Sequence, residues 1–325
     1  VLVNAFVGIV VIAIKLWYLK RNVPIKIEWT YWNKSMLKEI FGFSIWIAII
    51  VIAQNLIYNI MPTILGITSN TVEISKFTAA STIEGYVYTF SYVISGMFMP
   101  QMARMIHKNK NDEVANAKEI TELMIKIGRI QMVIVGAIIA IFTVFGKDFV
   151  ELWLGKKFGG TYETILLMII PTAIIAIQGI AETYVSATGK IKYNAYGTIV
   201  AAIVAVVIAF VLSSTYGAIG AGIGVCIGNT VGRVVVMNIF YIKKFGLYIG
   251  QFCKECFMKL SVPIILTIII AYVLEGFIKP NGWIIFFIKA MISGVIYCIL
   301  IWIMGLNLEE KENLKRTIGA YKKKM

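Results

Sequence analysis

Glu84, Tyr88, Ser91, Tyr92 and Ser95 follow one another at i, i+4, i+7, i+8 and i+11 inside an otherwise apolar run. Wound as a helix they form one polar face. At membrane depth such a face must meet protein or water rather than lipid. A second stripe carries Gln54, Asn55, Tyr58 and Asn59, and a third carries Gln178, Glu182 and Ser186. The chemistry open to such stripes is binding: amides, hydroxyls and phenols hydrogen-bond polar solutes, and a carboxylate among them can take up a proton or a cation. Glu84, about ten residues in from Ile74, is the deepest carboxylate and the first choice for coupling to a proton or cation. Two arrangements fit the stripes: helices around a hydrated cavity, or helices hydrogen-bonded to one another without one.

Four charges lie within or beside the apolar runs, namely Glu84, Glu182, Arg233 and Lys289. Arg233 and Glu182 fall near the ends of their runs, where a boundary role and a cavity role are both open. Lys289 follows Trp283 by ~9 Å of helix, and its stem either snorkels outward or lines a cavity. Catalysis by side chains needs convergent acids, bases or nucleophiles, and these are sparse. His107 is the one histidine and neighbours Lys108. Cys253-Lys-Glu-Cys256 has redox or half-zinc spacing without a second pair. The glycine-rich run 217–232 has neither the G-x-G-x-x-G order nor the Lys-Ser/Thr of a phosphate loop. The sequence therefore predicts no catalytic residue, no metal site, no cofactor and no enzyme. Gly224, Gly228 and Gly232, at four-residue spacing, predict close packing of helices instead.

The elements that must position these side chains are long apolar helices. About nine apolar runs, near 1–18, 39–62, 74–103, 127–145, 162–185, 193–213, 217–241, 260–278 and 283–305, approach the ~20 residues that cross a bilayer as helix. Only 15% of residues are charged, against about a quarter in soluble domains. The chain is read as an all-α integral membrane protein with about nine transmembrane helices. Of 31 Lys and Arg residues, 25 fall in the gaps 15–38, 104–129, 186–192 and 233–259 and in the tail 306–325. The positive-inside rule places those gaps and the C-terminus in the cytoplasm. The net charge of +14 thus faces anionic lipid headgroups, and nucleic-acid binding is not predicted.

Residues 19–38 form a hydrophilic, aromatic-rich gap that predicts a cytoplasmic connector between two helical units. The spacing of Val114, Ala117 and Ile120 predicts a short amphipathic surface helix over 106–121. The gap 146–160 predicts a surface half-turn or short helix, 213–217 a tight hairpin, and Pro171 a mid-span bend. Val1 stands inside an apolar run, and an odd number of spans ending in the cytoplasm predicts the C-terminal part of a longer protein.

Four segments carry a resemblance. SMLKEIFGFS (35–44), SGMFMPQMARM (95–105), FGKDFVELWLGKKF (145–158) and YVSATGKIKYNAYG (184–197) are similar to polysaccharide-repeat-unit flippases. That family, which serves O-antigen and capsule synthesis, lies in the multidrug/oligosaccharidyl-lipid/polysaccharide exporter superfamily. The likeness extends over essentially the whole chain. It implies a two-lobed transporter, with 1–18 the last helix of the N-terminal lobe, 19–38 the inter-lobe connector, 39–305 the complete C-terminal lobe and 306–325 a basic cytoplasmic tail.

The implied activity is translocation of an undecaprenyl-diphosphate-linked oligosaccharide across the bacterial cytoplasmic membrane by alternating access coupled to an ion gradient. The implied partners are the lipid-linked oligosaccharide, membrane lipids and the polysaccharide polymerase machinery. Gln54, Asn55, Asn59, Glu84, Tyr88, Tyr92, Gln178 and Glu182 would then line the substrate cavity, with Arg233 and Lys289 as partners of the diphosphate. A cation-coupled multidrug exporter and a peptidoglycan-precursor flippase share the superfamily and stay open as alternatives. A membrane-bound glycan polymerase or acyltransferase needs a substantial polar loop or a buried His or Asp pair, and the sequence contains neither.

Overall fold

A computed structural model describes residues 2–22, 33–109, 112–277, 282–312 and 316. The middle of the predicted connector, 23–32, lies outside the described residues, as do 313–315 and 317–325 of the predicted tail. The described residues fold as helices with no strand. In chain order these are α1 (Leu2–Asn22), α2 (Lys34–Tyr58), α3 (Met61–Thr68), α4 (Thr71–Gly96), α5 (Met99–Lys108), α6 (Glu113–Leu154), α7 (Thr161–Ile177) and α8 (Gly179–Ala187). They continue with α9 (Lys192–Tyr216), α10 (Ala218–Phe245), α11 (Ile249–Phe277) and α12 (Trp283–Gly305). Contacts divide the chain into Val1–Gly42 and Phe43–Met325. The first unit holds α1, whose Arg21 guanidinium lies 5.5 Å over the Trp17 ring, and the opening turns of α2. Everything below concerns the second.

Among the described residues six helices are long and apolar enough to cross a membrane, and a seventh crossing results if α7 and α8, bent by 53°, count as one. This makes the protein an all-α, multi-pass membrane protein. α4 is 26 residues long, enough for ~30 Å of hydrocarbon at 1.5 Å per residue. Its polar stripe keeps it outside the six. In α9, Ala201, Ala205 and Ala209 are buried while Ile203, Val207 and Phe210 are exposed. Small residues inward and large apolar residues outward is the pattern of a helix packed in lipid, where the core needs close approach more than greasy surface.

Local chemistry sets the helix ends. Asn70 caps α4 by accepting from the Val72 and Glu73 amides at 2.9 and 3.2 Å, and Asp112 caps α6 by accepting from the Ala115 amide at 2.9 Å. Pro62 and Pro100 stand in the first turns of α3 and α5, where the missing N–H costs nothing. The predicted hairpin forms at Gly217, and the Ala218 amide donates to Glu73 Oε2 at 2.8 Å. α9 and α10 then run together as the glycine spacing predicts: a Cβ on Gly228 would stand 2.5 Å from the Ala201 carbonyl oxygen, and one on Gly224 2.7 Å from that of Ala205.

Three local predictions are corrected. The amphipathic helix over 106–121 is not one element: α5 ends at Lys108, and Glu113 opens a single 42-residue α6 that leads straight into the span and runs on to Leu154, through most of the predicted surface half-turn over 146–160, with only Lys156–Phe158 forming a further 3-10 turn. A polar amphipathic turn and an apolar span share one helical period, so nothing in the backbone ends the helix between them. Nor does the bend fall at Pro171, which α7 carries in its interior. The break comes at Gln178, where the Ala181 amide returns to the Gln178 carbonyl in a tighter turn. Gly179 then brings α8 against Ser95 of α4, a contact that any Cβ would block.

Candidate functional site

The polar stripes converge between α2, α4, α8 and α10. Glu84 of α4 is buried, 3% exposed, and its Oε1 accepts hydrogen bonds from Tyr58 Oη at 3.0 Å and from Thr172 Oγ1. Tyr58 Oη in turn accepts from Asn229 Nδ2 at 3.2 Å. One carboxylate therefore ties together α2, α4, α7 and α10. Among the described residues no Lys, Arg or His stands within ion-pair distance of it.

Arg233 supplies the positive charge of the site. It lies, with Asn229, in a π-helical stretch of α10 over Asn229–Val236. Asn229 reaches Tyr58 of α2 and Arg233 reaches Tyr88 of α4, and such wider turns in α-helices often mark functional positions. Arg233 Nη2 donates to Tyr88 Oη at 3.3 Å and to Glu182 Oε2 at 3.5 Å. The guanidinium carbon sits 5.2 Å from the centre of the Tyr88 ring, a cation–π contact. Tyr88 stacks on Tyr92 with centroids 5.9 Å apart.

Two cavities open on this cluster. One, of about 350 Å³, is lined by Gln54, Tyr58, Asn59, Glu84, Tyr88 and Arg233 among others. The other, of about 640 Å³, is lined by Gln54, Tyr88, Tyr92, Glu182, Ser186 and Asn194 among others. Gln54 and Tyr88 line both, so the two meet across these side chains. Asn194 Nδ2 donates to the Glu182 carbonyl at 3.1 Å and to Ser186 Oγ at 3.2 Å, which fixes α8 against α9.

The structure thus brings together Gln54, Asn59, Glu84, Tyr88, Tyr92, Glu182 and Arg233. Gln178 is buried one layer behind, donating to Asn238 Oδ1 at 3.0 Å. Asn55 lines neither cavity; it donates to the Val51 carbonyl at 2.9 Å and accepts from Asn59. Lys289 is placed elsewhere. Its Nζ reaches Asp148 Oδ2 at 3.1 Å and lies 5.3 Å from the centre of the Phe145 ring, between α6 and α12. Completely buried against a partner 12% exposed, it neither snorkels to solvent nor lines either cavity.

Thr172, Asn194 and Asn229 belong to the site although the sequence did not mark them. Thr172 sits in a run with no polar periodicity, and Asn229 lies in a glycine-rich segment whose spacing spoke for packing. Among the described residues no group of three or more His, Cys, Asp or Glu side chains could hold a metal ion.

Comparison with known families gives one match: a family model described as "Polysaccharide biosynthesis protein" covers residues 1–163. The matched stretch includes the Gln54, Tyr58, Glu84 and Tyr88 wall of the cavities. No curated protein and no solved structure matches the chain.

Proposed function

Because the chain belongs to the polysaccharide biosynthesis protein family, we propose that this multi-pass membrane protein translocates an undecaprenyl-diphosphate-linked oligosaccharide repeat unit across the bacterial cytoplasmic membrane, its C-terminus in the cytoplasm. One observation carries the proposal: a polar cavity system, set among apolar helices, holds a buried guanidinium beside an aromatic pair and neutral hydrogen-bonding side chains. A sugar diphosphate cannot cross ~30 Å of hydrocarbon unaided, and a charge at the bilayer centre is expensive without a partner. Gln54, Asn59 and Tyr92 offer donors and acceptors to sugar hydroxyls, and Tyr88 and Tyr92 offer ring faces. Arg233 offers a planar fork suited to phosphate oxygens. The polyprenyl tail stays in lipid.

On this reading the protein moves its substrate without altering it, uses no cofactor, and hands the repeat unit to polymerase machinery outside the membrane. Glu84, buried and without an ion-pair partner among the described residues, is the group proposed to couple transport to an ion gradient. Cells lacking the protein should lose surface polysaccharide and accumulate diphosphate-linked repeat units on the inner leaflet. Surface polysaccharide at the normal level with no accumulation overturns the proposal.

A further inference from the structure

The Arg233–Glu182 contact differs from the other buried arginine pair. Arg129 spends Nε, Nη1 and Nη2 on Glu310 and two carbonyls, all within 2.8 Å. Arg233 engages only Nη2 among the described residues, and its 3.5 Å approach to Glu182 is the longest of their six ion pairs. Its Nε and Nη1 remain available. Glu182 is far less enclosed than its partner, with its side chain 28% exposed against 6% for Arg233. Glu182 lines both a void of about 10 Å³ beside Arg233 and the cavity of about 640 Å³. Its backbone carbonyl is held by Asn194 at 3.1 Å, which leaves the side chain as the movable part of the residue.

We propose that Glu182 is a resident counter-ion, exchanged for the phosphate oxygens of an anionic substrate each time the cavity loads. This rests on the diphosphate-linked substrate inferred above. An empty cavity with a bare guanidinium leaves a buried charge uncompensated, a costly state. A carboxylate at a long, single-nitrogen contact removes most of that cost and still yields to a stronger acceptor. A diphosphate offers several oxygens to the two unused guanidinium nitrogens, and charge-assisted bidentate bonds are stronger than one long contact. When the substrate leaves, Glu182 returns and competes with rebinding. Glu182 therefore sets affinity and release, whereas Arg233 supplies recognition.

Calorimetric titration of the intact protein in detergent with farnesyl diphosphate tests the exchange, with farnesol as the uncharged control. Removing the competitor in Glu182→Gln should tighten farnesyl diphosphate binding about tenfold and leave farnesol unchanged. Glu182→Asp keeps the charge but withdraws it by a methylene; it should tighten binding about threefold, and it decides the matter if Glu182→Gln is not recovered folded. In transport, both variants should lower half-saturation and turnover together, a joint change that a merely structural role would not produce. Diphosphate affinity equal to or weaker than wild type in the folded variants, with Arg233→Gln still losing binding, overturns the exchange and leaves the cavity reading standing. Unchanged diphosphate binding in Arg233→Gln overturns both.

Discussion

Arg129 and Glu310, 181 residues apart in sequence, form a two-pronged charged junction: Nε and Nη2 donate to the two carboxylate oxygens at 2.6 and 2.8 Å. The same guanidinium donates to the Glu255 carbonyl and the Gly305 carbonyl, each at 2.7 Å. Those carbonyls belong to π-helical turns at the start of α11 and the end of α12, and Gly305 is a helix-terminal acceptor that otherwise needs a partner. One side chain on α6 thus fastens α11, α12 and the chain beyond them. Arg129→Met should lower the unfolding temperature of the detergent-solubilised protein clearly, in line with the ~3–5 kcal/mol typical when one member of a buried pair is removed. Glu310, 26% exposed, can find water, so the loss should fall at the lower end. Glu310→Gln keeps an acceptor and should cost only about 1 kcal/mol. Equal unfolding temperatures for wild type and Arg129→Met would show that the junction holds nothing.

The junction also has a pH signature. Burial alone would raise the Glu310 carboxyl, but hydrogen bonds from Arg129 and from the Asn307 amide outweigh it and hold the group below its ordinary value of 4.5. A depressed carboxyl stabilises the fold fully above its unfolded value and loses that contribution as pH falls through its folded value. Stability from this pair should therefore be flat at neutral pH and decline only below about pH 4.5. Unfolding temperatures of wild type and Glu310→Gln measured from neutral pH downward should converge in that acid range. A gap that persists at the acid end would rule out the carboxylate as its source.

Close packing of α9 on α10 gives a steric prediction. A Cβ on Gly228 would meet the Ala201 carbonyl oxygen at 2.5 Å and the Ala205 Cβ at 2.7 Å, and two of the three nearest atoms are backbone. Backbone cannot step aside as a side-chain tip can, so overpacking here should exceed the ~1–3 kcal/mol usual for cores. Gly228→Val should reduce the yield of folded protein sharply, while Gly250→Val, whose Cβ would meet nothing within 4 Å, should not. Similar yields for both would remove the packing argument.

What the sequence made legible follows from its periodicities. Stripes at helical spacing revealed Gln54, Glu84, Tyr88 and Glu182 because lipid tolerates no polar face that is not buried or wet. Glycines four apart revealed the α9–α10 contact for a related reason: close approach needs absent side chains. Where the reading stopped, a single residue carried the information. Thr172 and Asn229 each place one polar atom on Glu84 or Tyr58, and one residue makes no period. Lys289 and Arg129 each take their place from what lies opposite, Asp148 and Glu310, which are 141 and 181 residues distant in sequence. Spacing along one chain cannot show that kind of pairing.

Lys289 therefore separates structural charge from cavity charge. With its ammonium completely buried and Asp148 12% exposed, Lys289→Met should destabilise by roughly 3 kcal/mol because a carboxylate loses its partner. The double variant Lys289→Met with Asp148→Asn should recover most of that loss, since contacting residues do not act additively. Farnesyl diphosphate affinity should stay within about twofold of wild type in either, because the pair lies outside both cavities. A tenfold loss of affinity in the folded double variant would return Lys289 to the substrate site.

Glu84 offers the sharpest separation of fold from coupling. Both of its described hydrogen bonds, from Tyr58 and Thr172, end on Oε1, and the carbonyl oxygen of a glutamine can accept both in the same place. Glu84→Gln should therefore keep the unfolding temperature at or above wild type, because it also removes a buried carboxylate that no described cation compensates. It cannot exchange a proton or hold a cation by charge. In vesicles carrying the intact protein, wild-type translocation of a polyprenyl-diphosphate oligosaccharide should quicken when a proton or sodium gradient is imposed. Glu84→Gln should bind the same substrate within about twofold and translocate at one rate with or without the gradient. Full gradient dependence in the folded variant would move coupling away from Glu84, leaving its two hydrogen bonds as a structural tie between α2, α4 and α7.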